Sequence, residues 1–130
     1  MFNCQWEEGR DTVTSEEMKK RTKDMSLSVI RLVSTLPRSL ESDIFSRQII
    51  RSATSVAANY RAACKARSRA DFINKLGIVE EEADETALWV EYLNELNLIP
   101  RDKGEALHRE ISELVAIIAA SAKTAKKNRK

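Results

Sequence analysis

Residues 39–66 read SLESDIFSRQIIRSATSVAANYRAACKA and contain neither glycine nor proline. Ser39 offers the side-chain oxygen that suits a helix N-cap. Behind it, Phe45, Ile49, Ala53, Val56, Ala57, Tyr60 and Cys64 fall on one helical face. The stretch therefore reads as one long amphipathic helix, and the flanking sequence extends the same pattern.

Upstream, Thr14 and Glu17 have the spacing of a capping box, in which two free helix-start N–H groups are satisfied reciprocally. A first helix should follow to about Leu36, with Met18, Met25, Val29, Leu32 and Leu36 on one face; Pro37 ends it. Downstream, Ser68 reads as the cap of a third helix, with Asp71 in the favourable first turn. That helix runs to about Asn97 and carries Phe72, Leu76, Val79, Ala83, Ala87 and Val90. Pro100 separates it from a fourth, over about residues 101–124, striped by Leu107, Ile111, Leu114, Ile118 and Ala122. Four amphipathic helices with short connections predict an all-α, antiparallel up-down-up-down four-helix bundle over residues 14–124. Residues 1–13 form a leader containing Phe2 and Trp6, and residues 125–130 a basic tail, with fraying from Lys123.

Composition agrees. At 130 residues the chain suits one domain that buries a core without disulfides or metals. Three glycines and two prolines are too few for the many turns of a sandwich or barrel. Cys4 and Cys64 supply too few ligands, too far apart, for a disulfide framework or a zinc site. Cys64 reads as a small buried hydrophobe. The longest apolar run, residues 114–120, is too short for a bilayer. No basic segment followed by an apolar stretch opens the chain, so the expectation is a cytoplasmic protein with no membrane partner.

Charge is segregated. Residues 44–70 hold Arg47, Arg51, Arg61, Lys65, Arg67 and Arg69 and no acid. Residues 71–97 hold Asp71, Glu80, Glu81, Glu82, Asp84, Glu85, Glu91 and Glu95 against Lys75 alone. Arg47, Arg51, Arg61, Lys65 and Arg69 share an arc of about 80°, although Arg69 lies past the expected helix end. Glu80, Asp84, Glu91 and Glu95 form an arc on the third helix. Two readings stay open. The ridges pair within or between subunits and set orientation, or part of the basic ridge, with Lys123, Lys126 and Lys127 of the tail, contacts RNA or DNA phosphates.

A second apolar line, Ile78, Trp89 and Leu96, points away from the main stripe of the third helix. An aligned trio that includes Trp more often marks an oligomer interface than incidental exposure. Gln48, Ser52, Ser55 and Asn59 form a polar ridge beside the core face of the second helix and read as structural, through helix–helix hydrogen bonds.

Catalytic patterns are missing. There is no Gly-rich phosphate loop, no nucleophile elbow and no paired metal-ligand motif. His108 is the one histidine and reads as solvated or capping. Glu105 and His108 satisfy the Glu-x-x-His spacing of a di-metal bundle once, where two are needed. The reading is non-enzymatic, with no cofactor or metal.

Residues 51–61, RSATSVAANYR, with 70–78, ADFINKLGI, 81–86, EEADET, and Trp89 resemble the bacterial four-helix-bundle proteins named for open reading frames in intervening sequences of 23S ribosomal RNA. The resemblance implies antiparallel four-helix subunits assembled as homopentamers. It also implies kinship with accessory proteins of diversity-generating retroelements, which bind nucleic acid and a reverse transcriptase. Gln48, Arg51, Ser55 and Asn59 stand at the signature positions. Ala62 stands where members often carry Glu, so any carboxylate role there is lost.

Overall fold

The computed structural model describes residues 13–128. The expectations for Phe2, Cys4, Trp6 and the last two residues lie outside the described residues. Helices α1 (Ser15–Val33), α2 (Leu40–Cys64), α3 (Arg69–Glu95) and α4 (Arg101–Lys127) follow in order, with no strand among the described residues.

The sequence signals act where they stand. Thr14 Oγ1 accepts from the Glu17 N–H at 3.1 Å, and Glu17 Oε1 accepts from the Thr14 N–H at 3.3 Å, completing the capping box. Ser39 Oγ accepts from the Ser42 N–H and Ser68 Oγ from the Asp71 N–H, each at 3.0 Å. Helix α4 starts behind Pro100 without a side-chain cap. Asn97 turns the chain between α3 and α4 at φ 57°, a left-handed conformation that asparagine tolerates.

Cross-helix contacts fix direction and register. Phe45 lies against Trp89 and Tyr92, whereas Arg51, farther along α2, meets Glu82 and Glu85, so α2 and α3 are antiparallel. His108 meets Glu91, and Gly104 lies against Asn94, so α3 and α4 are antiparallel too. A Cβ at buried Gly104 would sit 2.5 Å from Asn94 Oδ1, so glycine sets how closely α4 approaches α3. Arg21 joins α1 to Glu110 and Glu113 of α4. The result is the expected up-down-up-down bundle, with α1 and α4 packed more sparsely than the other neighbours.

The core is built from the predicted stripes with shifts at their edges. Met18, Met25 and Val29 meet Ile49, Val56 and Tyr60, then Phe72, Leu76 and Val79, then Ile111, Leu114 and Ile118, all buried. Each such side chain contributes about 1.5–3 kcal/mol of transfer free energy. Leu32, Leu36, Phe45, Ala57 and Ala87 are half-buried at the margin. The buried line of α3 steps by fours and threes through Phe72, Leu76, Val79, Ala83, Thr86, Val90 and Leu93. It therefore takes Thr86 into the core in place of Ala87. Cys64 is buried, as expected of a small hydrophobe.

Burying Thr86 costs free energy unless its hydroxyl is partnered. Its Oγ1 lies 2.8 Å from both Ser52 Oγ and the Glu82 carbonyl. This hydroxyl pair pins α2 to α3. Thr86→Val keeps the shape and strips the hydroxyl, so the unfolding free energy should fall by about 1 kcal/mol, seen as a lower denaturation midpoint at unchanged slope. An unchanged midpoint would mean that the pair adds nothing.

Three expectations need correction. Helix α1 ends at Val33 rather than near Leu36, so the chain leaves the helix before Pro37. Helix α4 does not stop near residue 124; it runs to Lys127, because Ala125 continues the Ile118–Ala122 spacing and is buried. Arg69 does not belong to the α2 ridge. The chain turns after Cys64, Ser68 caps a new helix, and half-buried Arg69 is the first residue of α3.

Candidate assembly and nucleic-acid surfaces

Helix α3 presents Ile78, Glu82, Glu85, Trp89, Tyr92 and Leu96 at steps of four and three, hence on one stripe. Helix α2 presents Leu40, Ile44, Gln48, Arg51, Ser55 and Asn59 in the same way. Phe45, Trp89 and Tyr92, with Arg51, Glu82 and Glu85, place the two stripes along one α2–α3 seam. The apolar line and the polar ridge, separate features of the sequence, are thus two sides of a single face.

Ile78, Trp89 and Leu96 do lie on this face, but Trp89 is half-buried: its ring centroid is 6.0 Å from Phe45 and 5.6 Å from Tyr92. The wetter surface lies around it. Leu40 is 73% exposed, Leu96 52%, Ile44 and Tyr92 46% and Ile78 40%. Leu40, Ile44 and Tyr92 went unread in the sequence, although their spacing matches the rest. They gather where α2 begins and α3 ends.

The middle of the seam is charged. Arg51 Nη1 donates to Glu82 Oε1 at 3.2 Å and Nη2 to Glu85 Oε2, while Trp89 Nε1 donates to Glu85 at 3.2 Å. The hydrogen bond to Glu85 pushes the Arg51 guanidinium above its ordinary range. The same bond, joined by that from Trp89 and opposed by desolvation, holds the Glu85 carboxyl below the usual carboxylate range. A depressed carboxyl favours the folded state above its unfolded value and loses that contribution only as pH falls through the folded one. The cluster is therefore fully formed at neutral pH.

The polar ridge differs in part from expectation. Ser52 alone bonds across to another helix, through Thr86. Asn59 Nδ2 donates within α2, to the Ser55 carbonyl and to Ser55 Oγ, both at 2.9 Å. Half-buried Gln48 has no hydrogen-bond partner among the described residues.

The basic residues divide. Arg51 is engaged by α3, whereas Arg47, Arg61, Lys65 and Arg67 are exposed and make no ion pair among the described residues. The register of α3 with α4, set by Glu91 with His108 and Asn94 with Gly104, carries the end of α4 to the start of α3. Exposed Lys123, Lys126 and Lys127 therefore stand at the same end of the bundle as Arg61, Lys65 and Arg67. Two basic segments far apart in sequence form one pole.

His108 is partly exposed to solvent and pairs across to α3 rather than capping a helix. Its Nε2 lies 2.8 Å from Glu91 Oε2, across from α3. Among the described residues, no group of three or more His, Cys, Asp or Glu side chains is placed to hold a metal ion.

By class this is an all-helical four-helix bundle, with an exposed mixed apolar-polar seam and a basic pole among the described residues. The sequence profile described as 23S rRNA-intervening sequence protein matches residues 15–120, and the chain belongs to that family. It is also similar to a crystal structure of a protein with unknown function from the S23 ribosomal protein family of Bacteroides thetaiotaomicron. The two are 34% identical, the match covers 85% of this chain and 98% of that one, and the TM-score is 0.78. No curated protein matches the chain significantly.

Proposed function

We propose that this chain is a non-enzymatic assembly protein whose copies pack through the α2–α3 seam and whose basic pole, repeated in the assembly, holds RNA or DNA weakly. The observation that carries the reading is the seam itself. Leu40, Ile44, Tyr92 and Leu96 leave a contiguous apolar surface wet beside an amide, Gln48, with no partner among the described residues. Such a face is the usual mark of an interface. The family resemblance supports a ring of five and a role beside a reverse transcriptase or another RNA-linked process. No helix among the described residues is long and apolar enough to cross a membrane, and a cytoplasmic site of action fits the reading.

Nucleic-acid contact rests on the pole. Arg61, Lys65, Lys123, Lys126 and Lys127 offer point charges, with no exposed aromatic among them to stack on bases. Binding should be electrostatic and indifferent to sequence. Anisotropy of labelled duplex DNA should show affinity falling with salt at a log–log slope of about −0.9 per neutralised phosphate. Changing Lys123, Lys126 and Lys127 together to Ala should make that slope shallower by up to about 2.7. Absence of binding at about 50 mM salt, where nonspecific attraction is strong, would contradict the nucleic-acid part and leave assembly alone.

One observation favours a second reading, a protein-interaction scaffold with paired charge ridges. Arg51 already lies between Glu82 and Glu85, so basic and acidic rows of this chain do pair. Glu80, Asp84 and Glu95 make no ion pair among the described residues and could receive Arg47 or Arg61 of a neighbouring copy. In that case, substituting Arg47 and Arg61 by Ala breaks the oligomer and leaves binding per subunit unchanged.

A further inference from the structure

Helices α1 and α4 pack sparsely, and their seam is closed along only part of its length. Arg21 joins Glu110 and Glu113 on one stretch. Toward the end of α1 lies a groove of about 500 Å³ with Met25, Leu32, Ala106 and Leu107 as its apolar lining. Clefts of this size suit small molecules. The Arg21–Glu110 pair sets the register of the two antiparallel helices. Counted from it, Asp24 stands level with Leu107 and Ser28 level with Lys103, and Arg31 follows within one further turn. The rim is therefore polarised. Asp24 and Glu110 stand toward one end, and each is already paired, with Lys20 and with Arg21. Arg31 and Lys103 stand toward the other, exposed and with no ion-pair partner among the described residues.

We infer that this groove binds a free fatty acid of medium chain length, its carboxylate between Arg31 and Lys103 and its tail along the apolar floor. Charge complementarity selects the head. The Arg31 fork and the Lys103 ammonium both donate to a carboxylate, and such charge-assisted bonds are the strong ones. A doubly charged phosphate suits the groove less, because Asp24 and Glu110 share its rim. The floor selects the tail. Met25 is only 2% exposed and Leu107 8%, so they lie at the bottom of a narrow cleft. A docked helix, about 10 Å across, would ride over that floor, whereas a single alkyl chain reaches it. Length agrees as well. From Arg31 back to Asp24 the helix advances about 10.5 Å. A zigzag chain of about ten carbons, with bonds of about 1.5 Å, spans roughly 11 Å.

Isothermal titration calorimetry of the full chain with decanoate supplies the test. Each chain should take up a single decanoate. From hexanoate to octanoate to decanoate the affinity should rise about 10-fold at each step, since every buried CH2 is worth about 3- to 4-fold. Decyltrimethylammonium, with the same tail and the opposite charge, should bind at least about 10-fold more weakly than decanoate. Arg31→Gln with Lys103→Gln should weaken decanoate by about 10-fold and leave decyltrimethylammonium no weaker. Ala106→Trp should fill the groove and abolish uptake of both. All three positions are exposed, so the variants should fold. Equal affinity for the two heads, or decanoate binding that survives both variants, would overturn the inference. So would a lack of saturable binding, which would leave the groove to a partner helix. Affinity that falls as the protein is concentrated would seat a second copy there and overturn it too. None of these substitutions lies on the α2–α3 face or at the basic pole, so this test stands apart from those of assembly and nucleic-acid binding.

Discussion

Replacing Ile44 and Leu96 together by Glu is expected to turn the assembled protein into folded monomers. Both side chains are about half exposed in the single chain and contribute little to its core. Helix content and thermal midpoint should therefore change little. In an assembly through the α2–α3 seam the same positions become buried, and an unpaired carboxylate there costs about 3–5 kcal/mol. Association should weaken by about 100-fold or more, since each 1.4 kcal/mol is about tenfold. Sedimentation velocity reads the outcome directly. An assembly that survives both substitutions would place the interface elsewhere. Trp89→Glu is a less clean probe, because Trp89 also packs on Phe45 and Tyr92 within its own chain.

Phe72→Ala should have the largest effect on the fold. Phe72 is fully buried in the first turn of α3, where α2 ends and α4 finishes. Truncating a buried Phe removes transfer free energy and leaves a cavity, for about 3–5 kcal/mol. Domains of this size have about 5–15 kcal/mol in total. At about 2–8 °C per kcal/mol the melting temperature should drop by roughly 10 °C or more. A shift of only a degree or two would contradict the placement of Phe72 at the centre of that end.

The helices were legible because their signals are local. Thr14 with Glu17, Ser39 and Ser68 are caps that act within one turn, and the two prolines stand in the connections that follow α1 and α3. The stripes needed only helical geometry. What depends on neighbours was harder to read. Nothing local marks Thr86 as buried; Ser52 of α2 gives its hydroxyl a partner in the core. Ala125 looked like part of a frayed tail because the run of lysines around it hides its place on the apolar stripe. Arg51 fell on an arc with Arg47 and Lys65, yet α3 separates it from them by supplying Glu82 and Glu85. The apolar trio of α3 was legible by angle alone. Its continuation through Leu40 and Ile44 was not, because only the packing of α2 on α3 brings the two stripes side by side. The pole was split in the same way, since the register of α4 against α3 is a tertiary fact.

Assembly is the central claim, and gel filtration with in-line light scattering tests it most directly. At micromolar concentration and moderate salt, the unmodified protein should elute as one species with a mass several times the 14.7 kDa of the chain, five times being the number the family resemblance favours. A single species at 14.7 kDa would contradict the claim and leave the exposed α2–α3 face for a different partner.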